Sequence, residues 1–144
     1  MYDNLKMIIK NAYSPLSKYK VACILKCKNG QEFIGVNIEN PSTKSGLCAE
    51  QVAIGTAIAE GYSGGDFDSL YVMGSGNKIC TPCFLCRQVL VEFMNADTKI
   101  ICYNRNGKFM EYTLEDLCPH AFILEGKNGK WIRKIISKFI CTIW

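Results

Sequence analysis

The sequence predicts an α/β domain built on one five-stranded sheet with helices on its faces. Two observations favour this class. Short runs rich in Val, Ile, Leu and Cys alternate with longer segments of helical periodicity. Turn signals such as Lys28-Asn29-Gly30 and Asn104-Arg105-Asn106-Gly107 join neighbouring strand-like runs. The chain has 144 residues, 49% of them hydrophobic and 21% charged, which suits one domain with one core.

The predicted elements follow the order α-β-β-α-β-α-β-β. Ser14-Pro15-Leu16-Ser17 ends the first helix, Gly61 stops the alanine-rich helix, and Pro82 suits the first position of the next. We expect helices over residues 4–12, 47–60 and 82–94. We expect strands over residues 20–27, 31–37, 69–74, 99–103 and 108–113.

The net charge of +4 is unevenly distributed. Residues 126–144 carry five basic side chains and no acid, whereas residues 1–125 carry 12 basic and 13 acidic side chains. The near-neutral body favours a small uncharged ligand over nucleic acid. We therefore expect one folded domain over 1–125 and a basic, amphipathic, helical extension over 126–144. That extension could bind a membrane surface or a partner, but packing on its own assembly is the simpler expectation.

The sequence contains no bilayer-length apolar run and no secretion signal, so we expect a cytoplasmic protein without a membrane partner. Nine cysteines are many for such a chain. An odd count without a signal peptide argues against a disulfide scaffold. Cys23, Cys27 and Cys102 lie in apolar strand-like runs and are expected to be buried, reduced thiols.

Three further cysteines fall at predicted helix starts. Cys48 opens one helix as Cys48-Ala49-Glu50, and the next begins Pro82-Cys83-Phe84-Leu85-Cys86. A helix start favours the thiolate, which is the form that binds Zn²⁺. If these helix starts meet, three thiolates hold one metal and leave a fourth position open. Glu50, two residues after a ligand, can then exchange protons with water at that position.

Two other interpretations of these cysteines remain. A structural zinc site needs a fourth ligand, for which Cys80 and His120, the only histidine, are the candidates. A redox site at the C-x-x-C pair would need no Cys48. The position of Glu50 weighs against both interpretations, because neither has a role for a carboxylate there.

Together these residues resemble the zinc deaminase signature, and more specifically the small homotetrameric cytidine deaminase family. The resemblance covers residues 12–122. It rests on Ala12-Tyr13-Ser14-Pro15-Leu16-Ser17-Lys18-Tyr19, Gly35-Val36-Asn37-Ile38-Glu39-Asn40, Cys48-Ala49-Glu50, Pro82-Cys83-Phe84-Leu85-Cys86-Arg87-Gln88-Val89 and Leu117-Cys118-Pro119-His120-Ala121-Phe122. It implies a three-layer α-β-α fold with a mixed five-stranded sheet, one Zn²⁺ per subunit and hydrolysis of cytidine or 2′-deoxycytidine to the uridine product and ammonia, as in pyrimidine salvage.

The resemblance also implies the site residues. Zn²⁺ is held by Cys48, Cys83 and Cys86, and Glu50 moves the protons. The substrate-binding residues would be Asn37 and Glu39 for the ribose hydroxyls, Ala49 for the pyrimidine amide edge, Tyr19 near the base, and Phe122, reaching a neighbouring subunit's site.

Some residues depart from the family pattern. Gln51 stands where many members carry Arg, so the charge of three thiolates must be offset otherwise, by helix N–H groups or by Arg87. Thr43 replaces a Tyr that reaches a neighbour's sugar. Phe84 replaces a Gly and is expected to narrow the site.

Three other functions are weighed against a cytidine deaminase. A deaminase of another aminopyrimidine, such as blasticidin S, shares the metal motifs, but Glu39 favours a nucleoside sugar. A polynucleotide-editing deaminase suits the near-neutral body poorly. A non-catalytic zinc-binding module would need a filled fourth ligand position.

Overall fold

The computed structural model of the protein describes residues 1–123. Within them the order is α1-β1-β2-α2-β3-α3-β4-β5-α4. The helices are α1, Tyr2–Ile8; α2, Ala49–Ala59; α3, Phe84–Phe93; and α4, Leu114–Leu117. The strands are β1, Val21–Cys27; β2, Glu32–Val36; β3, Phe67–Gly74; β4, Lys99–Tyr103; and β5, Phe109–Thr113. The predicted order is confirmed, and α4 is an addition that the sequence did not suggest.

The five strands form one mixed sheet in the order β2-β1-β3-β4-β5. Strand β1 runs antiparallel to both β2 and β3, and Ile24 lies between Ile34 and Tyr71. Strands β3 and β4 are parallel, with Val72 opposite Cys102, and β5 returns antiparallel to β4. A parallel pair needs a crossover connection, which α3 provides here.

The sheet separates two apolar cores, because successive strand residues point to opposite faces. On β1, Cys23 and Leu25 belong to the larger core, with residues of α2 and α3. Ala22 and Ile24 face the other side and pack with Leu5 of α1. The predicted three-layer α-β-α arrangement with helices on both faces is therefore confirmed.

Two predicted helix boundaries need correction. Helix α2 begins at Ala49 instead of Leu47, and α3 begins at Phe84 instead of Pro82. In each case a cysteine occupies the N-cap, where the backbone is still extended, with ψ of 153° at Cys48 and 165° at Cys83. Both thiols therefore sit beside the first free N–H groups of their helices. The predicted first helix also differs, since it ends as a 3₁₀ turn over Ile9–Asn11.

Helix α2 lies unusually close to β2. Three alanines on its inner side, Ala49, Ala53 and Ala57, are fully buried. The facing strand carries Gly35, where an added Cβ would lie 2.7 Å from the backbone nitrogen of Ala53. Small residues on both elements thus fix the depth at which the start of α2, with Cys48 and Glu50, meets the sheet.

The extension predicted over 126–144 lies outside the described residues, so the division at residue 125 remains a prediction. Among residues 1–123, no helix is long and apolar enough to cross a membrane.

Candidate active site

The starts of α2 and α3 bring three thiols together. Cys48 caps α2, Cys83 caps α3, and Cys86 is the third residue of α3. Their Sγ atoms all lie within 4.8 Å of one another, and those of Cys48 and Cys83 are 3.9 Å apart. Tetrahedral Zn²⁺ with Zn–S bonds of about 2.3 Å places its sulfur ligands about 3.8 Å apart. The donor type and the spacing therefore both fit zinc.

The alternative ligands do not join this group. In the described part of the chain, it is the only cluster of three or more potential metal-binding side chains, and it contains neither Cys80 nor His120. His120 instead lines a cavity of about 350 Å³ beside α3 and α4. The proximity of Cys48 to Cys83 is what a metal site requires, whereas a redox C-x-x-C pair would not need it.

A hydrogen bond between two of the thiols separates their pKa values. The bond with Cys86 is the main cause that lowers the pKa of Cys48 from its usual 9.0 to about 7, against the effects of burial and of Glu50. The same bond, with burial, raises the pKa of Cys86. Without metal, Cys48 therefore loses its proton before Cys86, and the start of α2 stabilises the thiolate.

Glu50 occupies the second position of α2, beside the thiol cluster. The residue is only 4% exposed. Burial raises the pKa of its carboxyl group, while hydrogen bonds from its own backbone N–H and from the Cys86 thiol act in the opposite direction. A carboxyl group with a raised pKa holds a proton more readily, which suits a residue that must take up and return protons near neutral pH.

Gln51 and Arg87 make their contacts with the backbone around the cluster. The Gln51 Oε1 atom accepts a hydrogen bond from the Cys48 N–H at 3.1 Å, as part of a capping box. The Arg87 guanidinium donates to the Pro82 carbonyl and the Leu117 carbonyl, each at 2.8 Å, and to Thr81 Oγ1 at 3.3 Å. Arg87 therefore braces the loop before Cys83, and its contacts include no direct bond to a thiol among residues 1–123.

Asn37 and Glu39 follow β2 and both hold the segment before β1. Asn37 accepts from the Val21 N–H at 2.8 Å and donates to the Tyr19 carbonyl at 3.0 Å. The Glu39 carboxylate accepts from the N–H groups of Leu16 and Ser17 and from the Ser17 hydroxyl. The hydrogen bond from the Ser17 hydroxyl is the main cause that lowers the pKa of Glu39.

Two other predicted substrate residues, Ala49 and Tyr19, differ in how far they are exposed to solvent. Ala49 is fully buried at the first position of α2, where a helix offers N–H groups that have no acceptor within the helix. Tyr19 is 39% exposed, with its hydroxyl end turned towards Gly74, Gly76 and Cys80.

Two aromatic rings beside α3 are exposed in this chain. Phe122 is 70% exposed, and its carbonyl accepts a hydrogen bond from Gln88 Nε2 at 2.9 Å. Phe84 is 81% exposed and stacks on the Arg87 guanidinium, 4.8 Å from the ring centroid. The ring of Phe84 is largely open to solvent within the single chain, and the expectation that it narrows the site stays a prediction.

The sequence pattern does not indicate a role for Ser17, Gln88 or Gly35, although each of them shapes the site. All three lie inside the segments that carry the family resemblance, which is the one signal that could have singled them out. Their contacts join segments that are distant along the chain, so spacing alone does not reveal them.

Comparison with known proteins agrees with this geometry. A family model described as "Cytidine and deoxycytidylate deaminase zinc-binding region" matches residues 2–104. The "Cytidine deaminase" of Mycoplasma genitalium is 39% identical over 118 residues, 82% of this chain and 89% of that protein. The crystal structure of cytidine deaminase from Burkholderia pseudomallei matches with a TM-score of 0.80 at 34% identity, over 84% of this chain and 95% of that chain.

A more distant relative is the "Blasticidin-S deaminase" of Bacillus cereus, 27% identical over 111 residues, 72% of this chain and 76% of that protein. The family model covers more than half of the chain, and the Mycoplasma genitalium cytidine deaminase is 39% identical to it. The chain therefore belongs to the cytidine and deoxycytidylate deaminase zinc-binding family.

Proposed function

We propose that this protein is a zinc-dependent cytidine deaminase, which converts cytidine or 2′-deoxycytidine and water to the corresponding uridine nucleoside and ammonia. The observation that carries the proposal is a buried carboxyl group, Glu50, placed beside three thiols that can hold one zinc per subunit and leave a position open. A structural zinc site has neither the open position nor a use for this carboxyl group.

Cys48, Cys83 and Cys86 would hold Zn²⁺, which would lower the pKa of a water for attack on C4 of the pyrimidine. Glu50 takes one proton from that water and passes it to N3 of the ring. It then takes the second proton of the same water, which is now on the hydroxyl at C4, and delivers it to the departing amine. Burial suits Glu50 to this task, because it raises the pKa of the carboxyl group towards the working range. We expect the backbone N–H of Ala49 to hold the amide edge of the ring.

The remaining hydrogen-bonding capacity of Asn37 supports a sugar ligand. A carboxylate offers about four acceptor positions, and four hydrogen bonds from Leu16 and Ser17 already occupy them at Glu39. The Asn37 side-chain nitrogen has two hydrogens, one of which is bound to the Tyr19 carbonyl. One donor hydrogen therefore remains for a single sugar hydroxyl, and Glu39 would accept from a sugar by exchanging one of its bonds to Ser17. We therefore expect turnover of both cytidine and 2′-deoxycytidine.

Ultraviolet absorbance of cytidine, followed with and without a chelator, tests the reaction. We expect Glu50→Gln to lower kcat by about 1,000-fold while zinc content is kept, because the proton carrier is lost and the ligands are not. Glu60→Gln, an exposed change at the other end of α2, is the matched control. Full turnover in Glu50→Gln would show that the proton-transfer role is wrong.

A homotetramer with shared sites, expected from the sequence, is part of this proposal. Exposed apolar side chains cluster beside the site on α3 and on the segment after α4, which supports a covered surface. They are Phe84, Leu85, Phe122 and Ile123, all more than 60% exposed. Sedimentation of the native protein measures the assembly, and lower turnover in Phe122→Ala with an unchanged assembly would support a shared site. A cytoplasmic location remains a prediction.

A blasticidin S deaminase is the second candidate, favoured by the relative from Bacillus cereus and by Phe84 and Thr43. Relative kcat/KM values for cytidine, 2′-deoxycytidine and blasticidin S distinguish the two. Because Asn37 retains one donor hydrogen for a sugar hydroxyl, we expect the nucleosides to be preferred by about tenfold, the value of one hydrogen bond.

A further inference from the structure

The turn before β1 is held in place on both sides of Tyr19. Glu39 binds the backbone of Leu16 and Ser17, and Asn37 binds the Tyr19 carbonyl. Between them Lys18 has a φ of 57°, a left-handed conformation that a non-glycine residue keeps only when surrounding contacts hold it. The backbone that carries the Tyr19 ring is therefore fixed by the same two residues that are expected to bind the sugar.

The hydroxyl end of Tyr19 occupies a socket formed by Gly74, Gly76 and Cys80. A Cβ at Gly74 would overlap the Tyr19 hydroxyl and lie 2.8 Å from the Cys80 Cβ. A Cβ at Gly76 would lie 2.9 Å from the ring atom Cε2 of Tyr19. The absence of a side chain at both glycines therefore makes room for the hydroxyl end of this ring.

The socket is polar as well as close-fitting. The Tyr19 hydroxyl lies beside Gly76 and the Cys80 side chain. Hydrogen bonding between Tyr19 and Cys80 contributes to the raised pKa of Tyr19 and lowers that of Cys80 against the larger effect of burial. Burial raises the pKa of Tyr19 to about 12 and that of Cys80 to about 11, so both groups are neutral at physiological pH. The Tyr19 hydroxyl can therefore use the Cys80 sulfur of the same chain as its acceptor.

The socket also belongs to the loop that leads to the metal-binding thiols. Cys80 is three residues before Cys83, and its N–H is bound to the Tyr103 carbonyl of β4 at 3.3 Å. Tyr19 consequently connects two parts of the candidate site. One part is the turn held by Asn37 and Glu39, and the other is the loop that ends at Cys83.

We propose that Tyr19 is a positioning residue for the nucleoside, whose hydroxyl, seated on Cys80 between Gly74 and Gly76, sets the distance between the sugar-binding residues and the metal-binding loop. This inference rests on the proposed function. Its consequence is that Tyr19 and Cys80 act as a pair, so that a change in one is tolerated better when the other changes with it.

A four-member cycle tests this pairing: the native protein, Tyr19→Phe, Cys80→Val and the double variant. Cys80→Val removes the acceptor and leaves the hydroxyl unpaired, so we expect the KM for cytidine to rise about tenfold, with kcat within twofold. Tyr19→Phe should raise KM two- to threefold. The double variant, with neither polar group, should return to within about threefold of the native KM.

Two further variants separate positioning from general packing. Cys80→Ser keeps an acceptor for the hydroxyl and should restore a KM close to the native value. Cys27→Val changes a buried thiol at the far end of β1 and should leave KM unchanged, whatever its effect on the thermal unfolding midpoint.

Three results would overturn the inference: an unchanged KM in Cys80→Val, a double variant whose KM is the product of the two single effects, or changes confined to the unfolding midpoint. The proposed function fails separately, through absence of turnover by the native zinc-loaded protein. Native turnover with an unchanged KM in Cys80→Val therefore rejects this inference alone.

Discussion

The thiols at the helix starts and the thiols in the strands show how one residue type takes two roles in this protein. Cys48, at the start of α2, has a pKa lowered to about 7, next to two further thiols and a helix terminus. Cys102, fully buried in β4, has a pKa raised to about 12, mainly by burial. Cys23 is likewise buried, and its pKa is raised. Position in the fold, and not the cysteine itself, decides which thiol can bind a metal.

The strongest test of this comparison uses the same substitution in both groups. Cys83→Ser should lose zinc and lower kcat/KM by at least about 100-fold, because several kcal/mol of metal-assisted catalysis are lost. Cys102→Ser should keep its zinc and instead lose about 1–3 kcal/mol of unfolding free energy, because a hydroxyl replaces a thiol in the apolar core. Zinc content by mass spectrometry and urea unfolding are the two measurements. Zinc loss in Cys102→Ser would remove the distinction.

The next test concerns the contact that brings the helix-start thiols to the sheet. Gly35→Ala places a methyl group against the backbone of Ala49 and Ala53, so we expect a loss of about 1–3 kcal/mol and weaker zinc binding as α2 moves outward. Gly55→Ala is the matched control on α2, with no atom within 4 Å of the added Cβ. There we expect a gain of up to about 1 kcal/mol, because Ala favours a helix interior. Equal effects of the two variants would contradict the role given to Gly35.

The helix-start group could largely be predicted from the sequence, because its geometry follows from local rules. Each thiol lies at a recognisable helix start, and two such starts beside neighbouring strands are brought together by the topology. The burial of Cys23 and Cys102 was also predicted, from the apolar runs around them. Local rules misplaced the first residues of α2 and α3, because an N-cap residue keeps an extended backbone while belonging to the helix pattern. They also misplaced the limits of the first helix and did not reveal α4.

The contacts around Tyr19 could not be predicted in this way. The contacts of Ser17 with Glu39 and of Tyr19 with Cys80 join residues 22 and 61 positions apart along the chain. Such contacts depend on how two loops pack against each other, which spacing along the chain does not determine. The resemblance suggested a ring near the base, but it could not show that the hydroxyl of Tyr19 is matched by a thiol.

The pH dependence of zinc binding tests the lowered pKa of Cys48 directly. Above pH of about 7, Cys48 is already a thiolate, so zinc displaces no proton from it; below that pH, zinc must compete with one more proton. The zinc affinity should therefore fall on acidification. Below pH 7, each pH unit should lower the affinity by about a further tenfold, which is the effect of a single additional proton. Competition with a chelator of known pH dependence, measured from pH 8 to pH 6, gives this slope. A slope that stays constant through pH 7 would mean that Cys48 titrates no differently from an ordinary thiol, and the contrast with the strand thiols would then rest on geometry alone.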